Sequence, residues 1–204
     1  MKVRERIFII GLIIFLAGCQ KDLSREGLIN YTLDPDNGLY KKEKKGDITI
    51  EVLYRPSQLI AEQDARGLTL STHQMDSINE YFGEVDYFLL RLSRNSDEIE
   101  NAYARNSLMF NEVSNYLSYG IAHDVFLLQG SDTLHVADFI RTQTHGASPS
   151  TDILFGFKPG VNDKNGDIKF IFKDLKFDTG VNEFDFNASD LQTASSIQLT
   201  DKNQ

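Results

Sequence analysis

From Ile121 onward the apolar residues fall at every second position, and that period decides most of what the chain can become. Ile153, Phe155 and Phe157, then Ile168, Phe170 and Phe172, then Phe184 and Phe186 each place one apolar face on alternate side chains, the mark of half-buried strands. Turn signals separate them, Asn162-Asp163-Lys164-Asn165-Gly166-Asp167 being the fullest. Val125 to Leu128 and the set Leu134, Val136 and Phe139 flank Gly130-Ser131-Asp132 and predict a hairpin.

Upstream the period changes. Ile48, Ile50, Val52 and Tyr54 alternate as a first strand that Pro56 ends, and Ser57 opens a short helix through Ala65 that Gly67 closes. Met75, Ile78 and Phe82 after Thr72 stand at helical spacing, and Val85 to Leu92 reads as a buried strand. Asn95 and Glu98 have capping-box spacing and predict a helix start, whose neighbouring carboxylates, Asp97, Glu98 and Glu100, are expected on an exposed turn. A further helix from about Ser107 carries Met109, Val113, Tyr116, Leu117 and Gly120 on one face.

Strands with one apolar face each need a second layer to bury it. The expectation is therefore a mainly β fold, a two-layer immunoglobulin-like β-sandwich over residues 47–200 with a few short helices inserted in the middle of the chain. The phenylalanine series, Phe177 included, is its core. The likeness to immunoglobulin-like domains of secreted bacterial lipoproteins is one of architecture: with one cysteine and no tryptophan, the chain lacks the cysteine pair and tryptophan of true immunoglobulin domains.

The first eighteen residues stand apart. Lys2, Arg4 and Arg6 precede the apolar run Ile7 to Leu16, which is too short to cross a bilayer and has the layout of a secretory signal peptide. Leu16-Ala17-Gly18-Cys19 follows, and it resembles the lipobox of bacterial lipoproteins. The resemblance implies a lipid on Cys19, removal of residues 1–18 and membrane attachment through acyl chains, with transfer to the outer membrane expected because Gln20 follows the cysteine. Cys19-Gln20-Lys21-Asp22 also looks like the short signals that send lipoproteins of Bacteroidetes to the cell surface. Residues 19–46 are polar and turn-rich, with Asp34-Pro35-Asp36-Asn37-Gly38 and the charge run Lys41 to Lys45, and they read as a flexible tether; a chain beginning near Gly46 is then expected to fold.

Net charge is −9, and since residues 1–18 are net +2 the chain from Cys19 carries −11, which disfavours nucleic acid as a partner. His73, His123, His135 and His145 show no i, i+4 pair, although His123 and His135 sit on opposite arms of the expected hairpin. Asp163, Asn165, Asp167 and Asp174 match four places of a calcium loop, but Ile168 replaces the required glycine, so a hairpin turn is the simpler reading. No Gly-x-Ser-x-Gly occurs, and Cys19 is committed to lipid. Catalytic, cofactor and metal residues are therefore none. The expected function is a lipid-anchored, non-enzymatic module that binds an envelope protein or a surface partner; the alternatives are an envelope-anchored hydrolase or a carbohydrate-binding accessory lipoprotein.

Overall fold

A computed structural model describes residues 22–144, 147–160 and 166–200. Cys19, Gln20, Lys21, His145, Asp163 and Asn165 lie outside the described residues, as does the signal segment. In chain order the elements are β1 (Asp22–Leu23), α1 (Arg25–Leu33), β2 (Tyr40–Lys45), β3 (Ile48–Arg55), α2 (Ser57–Asp64), α3 (Thr72–Gly83), β4 (Asp86–Arg94), β5 (Asp97–Glu98), α4 (Ser107–Asn115), β6 (Val125–Gln129), β7 (Asp132–His135), β8 (Asp138–Arg141), β9 (Thr151–Phe157), β10 (Ile168–Asp174), β11 (Gly180–Phe186), α5 (Ala188–Ser196) and β12 (Gln198–Leu199). Three short turns of 3-10 or π helix flank α4, at Ile99–Tyr103, Tyr116–Gly120 and Ile121–His123.

The fold is sheet-rich but mixed. One sheet runs β2-β3-β4-β9-β8, with β5 added to β4; a second runs β11-β10-β6-β7, and every pair in both is antiparallel. The alternating phenylalanines fill the space between them: Phe155, Phe157, Phe170, Phe172, Phe177, Phe184 and Phe186 are all buried in one cluster with Phe88, Leu90 and Val52. Phe88 of the first sheet meets Phe170 and Phe186 of the second at ring-centroid distances of 5.7 and 5.2 Å. Polar residues fill the alternate positions because they face outward, which is why the period survives in the sequence.

The expected tether is part of the fold from Asp22 onward. Ser24 caps α1 by accepting from the Gly27 N–H, Leu28 and Leu39 are fully buried, and β2 pairs with β3 from Tyr40 opposite Leu53 to Lys45 opposite Ile48. The charge run is thus an edge strand, whose lysines deter pairing with another chain rather than solvating a linker. Its composition misleads because an edge strand shows one side to solvent.

Other expectations change as well. Helices lie near both chain ends, not only in the middle; α5 has no clear signal in the sequence, which is mostly polar there, and the helix buries only Leu191 and Ala194. Asn95 and Ser96 do not begin a helix: with φ of 55° and 64° they form the tight turn from β4 to β5. The β6–β7 hairpin holds, but its second arm stops at His135, and Phe139 crosses into the other sheet opposite Phe155.

The two ends of the sheets differ. At the Arg55 end of β3, helices α1, α2, α3 and α5 and the parallel pair β1–β12 form a cap with its own small core of Leu28, Leu59 and Ile197. Tyr54 ties α5 to this end through a 2.9 Å hydrogen bond between its hydroxyl and Ser195 Oγ. At the Ile48 end stand the β4–β5 turn, α4 and the β10–β11 turn, linked by Lys45 Nζ to the Thr179 and Val181 carbonyls and by the Lys176–Glu112 ion pair. Eight residues of β3 separate these ends by roughly 26 Å.

Candidate functional site

The most constructed polar site lies at the α4 end. Glu98, the last residue of β5, and Glu100, in the following 3-10 turn, are both about 3% exposed, where the sequence predicts exposed acids. Arg141 of β8 bonds Glu100 through Nη2 and reaches Ser114 and Ser118 through Nη1 at 3.1–3.2 Å. Thr151 donates to the second oxygen of Glu100 and accepts from the Ile99 N–H at 3.2 Å. Glu98 accepts from the Thr144 hydroxyl and from the Ser148 N–H, the latter at 3.2 Å. Glu98, Glu100, Ser114, Arg141 and Thr144 border a cavity of about 460 Å³ whose wall includes Asn101, Phe110 and Gln143. The Nε–H of Arg141 is buried and has no acceptor among the described residues.

Away from Phe110 and Ser114, the two α4 residues that line the cavity, the surface of this region turns apolar. Leu108 and Met109, two residues and one residue before Phe110 on α4, are 80% and 40% exposed, and Leu175 in the turn that Lys176 ties to α4 is 78% exposed. Tyr119, on the π turn that continues α4, is also exposed. Periodicity places Met109 with Val113 and Leu117, but only the latter two are buried.

A second polar region lies on the outer face of the larger sheet. Lys42, Glu51, Arg91 and Asp152 stand directly opposite one another on β2, β3, β4 and β9, so their charges alternate in one rank across four strands. Arg91 bonds both oxygens of Asp152 at 2.9 Å, Lys42 bonds Glu51 at 2.8 Å, and Tyr40 donates to Glu51 as well. Burial pushes the Glu51 carboxyl upward, yet the bonds from Lys42 and Tyr40 and the charges of Lys42 and Arg91 together hold the group below the usual range. The groove over this rank, about 360 Å³, is completed by hydroxyls of Thr49, Ser93, Ser96, Ser148 and Ser150. A rank of this kind satisfies charges on an open sheet face and offers no strained or unpaired group for chemistry.

The third feature is a carboxyl under the cap. Asp86, at the start of β4, lines a cavity of about 110 Å³ with Tyr54, Gln129, Leu191 and Ser195. Burial raises its pKa to about 6, and the Tyr54 hydroxyl beside it offsets part of that rise. A space of this size holds water rather than a substrate.

The described histidines do not converge. His73 is exposed at the start of α3; His135 faces Phe126 across the hairpin, and His123 precedes β6, so the two are not opposite each other. Asp167 accepts from the Ala188 N–H at the start of α5. Asp174 is buried and accepts from the backbone of Lys176, Phe177 and Thr179, organising the β10–β11 turn. Among the described residues no group of three His, Cys, Asp or Glu is placed to hold a metal, and no helix is long and apolar enough to cross a membrane. Comparison with protein-family models, curated proteins and solved structures finds no match to this chain.

Proposed function

We propose that the chain is a lipid-anchored outer-membrane protein, held by acyl chains on Cys19, whose body binds another protein of the envelope or cell surface without catalysis. The observation that carries the binding reading is the α4 surface, where Leu108 and Met109 stand exposed together with Leu175 of the turn that Lys176 ties to Glu112. Large apolar side chains exposed on one surface are a mark of partner sites. The hydrolase alternative asks His123 or His135 to meet two carboxylates in a cleft; both histidines are exposed, and the buried pair Glu98 and Glu100 is bonded to Thr144, Thr151 and Arg141. The two packed sheets support the finer reading of an immunoglobulin-like sandwich, in which the phenylalanine layer is the core.

Labelled palmitate tests the anchor: the wild type takes it up, and Cys19→Ser does not. A photo-crosslinking residue at Leu108 or Leu175 tests the surface in intact cells, with Ser77 on the exposed face of α3 as control. A discrete protein adduct at 108 and 175 but not at 77 supports the binding surface. No adduct, or the same adduct at all three, rejects it.

A further inference from the structure

We infer that the helical cap is the membrane-facing end of the molecule, and that the bilayer holding the lipid of Cys19 is also touched by the α2–α3 loop at Leu68. This rests on the reading of Cys19 as the lipidated residue. Only Gln20 and Lys21 separate Cys19 from Asp22, so the two Cα atoms are at most about 11 Å apart. Asp22 is not free to swing on a leash: it is paired with Gln198, and Leu23 and Leu199 pack against the Leu28, Leu59 and Ile197 core. Acyl chains in the hydrocarbon layer put the cysteine among the headgroups, a zone about 5–8 Å deep on each side. The strand that begins at Asp22 therefore stands at the headgroup surface, and the cap comes with it.

The α2–α3 loop belongs to that cap. Arg25, three residues past Asp22, bonds Glu62 of α2 at 2.6 Å, and Glu62 also holds Arg66 at 3.6 Å. Gly67, with φ of 82°, turns the chain after Arg66, and Leu68 beyond it is 60% exposed. A guanidinium next to an exposed aliphatic side chain suits the boundary between lipid phosphates and acyl chains. At the opposite end of β3, roughly 26 Å away, Leu108 and Leu175 then face away from this membrane, toward whatever protein they bind.

The chain has no tryptophan, so Leu68→Trp and Leu175→Trp each introduce a sole probe at an exposed site. Each variant, purified with its lipid and with the lipidated N-terminus confirmed by mass, is placed in phosphatidylethanolamine and phosphatidylglycerol vesicles containing brominated lipid. Emission from the Leu68→Trp variant is expected to be blue-shifted and roughly halved by bromine, as for a side chain at the headgroup and acyl boundary, while the Leu175→Trp emission stays unchanged. Equal quenching of the two, quenching of Leu175→Trp alone, or quenching of neither overturns the orientation. Absence of lipid on Cys19 overturns the anchor reading itself, a result visible in the mass before any fluorescence is read.

Discussion

Phe88 on β4 and Phe170 on β10 hold their rings 5.7 Å apart, tilted by 42°, and so join the two sheets at the centre of the core. Phe88 also meets Tyr54, Phe157 and Phe186 at 5.4, 6.1 and 5.2 Å. Phe88→Ala is expected to cost about 3–5 kcal/mol in urea unfolding. Phe139→Ala, on the edge strand β8 where the ring is only partly buried, should cost clearly less. Equal losses would show that the sheets are not joined through Phe88.

Two arginine–carboxylate pairs differ in burial and so in worth. Arg91 and Asp152 are 31% and 24% exposed, Arg141 and Glu100 only 10% and 4%. Arg91→Met should cost about 1 kcal/mol or less. Arg141→Met leaves Glu100 buried without its cation and should cost about 3–5 kcal/mol. Double-mutant cycles with Asp152→Asn and Glu100→Gln would separate the two cases, and a larger coupling for Arg91 would contradict the burial argument.

Asp86 binds its proton more tightly in the folded protein than in the unfolded chain, because burial lifts its pKa to about 6. Stability from this group is therefore complete below the unfolded carboxyl value, near pH 4, and is lost as the pH rises through about 6. Asp86→Asn removes the loss. Thermal unfolding should show the variant more stable than wild type at about pH 8 and nearly equal to it at about pH 4. A constant difference across that range would mean that Asp86 is not buried as described.

Residues 22–46 belong to the body, so truncation should be costly. A chain starting at Asp22 is expected to unfold cooperatively in urea. One starting at Gly46 loses the buried Leu28 and Leu39, worth about 1.5–3 kcal/mol each, and uncovers the β3 edge. It should give a shallow transition or aggregate; a steep transition at the wild-type midpoint would show that α1 and β2 are dispensable.

The strands of the second half are legible because Phe155 to Phe186 alternate against a sheet face that is buried on one side only. Less legible are elements whose partners lie far along the chain. Nothing local to Lys42 shows that it will stand opposite Glu51, or that Arg91 will follow in the same rank, because register is decided by strand pairing. Arg141 and Glu100 are 41 residues apart and meet only when β8 reaches the turn after β5. In Glu98-Ile99-Glu100 the fully buried Ile99 between the two acids is the one available hint of burial. Asn95 and Glu98 satisfy a capping pattern, but Asn and Ser also tolerate the left-handed backbone that a two-residue hairpin demands, and the hairpin prevails.

Strand β1 is the first described element and its partner β12 the last, which orders events in time as well as in space. During synthesis Asp22 and Leu23 emerge with nothing to pair with, since their partners Gln198 and Leu199 follow 176 residues later. Asp22 and Leu23 therefore stay unpaired until nearly every other described element has been made. Once β12 arrives, Asp22 and Leu23 are taken into the parallel pair and the small core of Leu28, Leu59 and Ile197 is completed. Closure of the cap thus waits for the last of the described strands, and it joins residues from opposite ends of the fold.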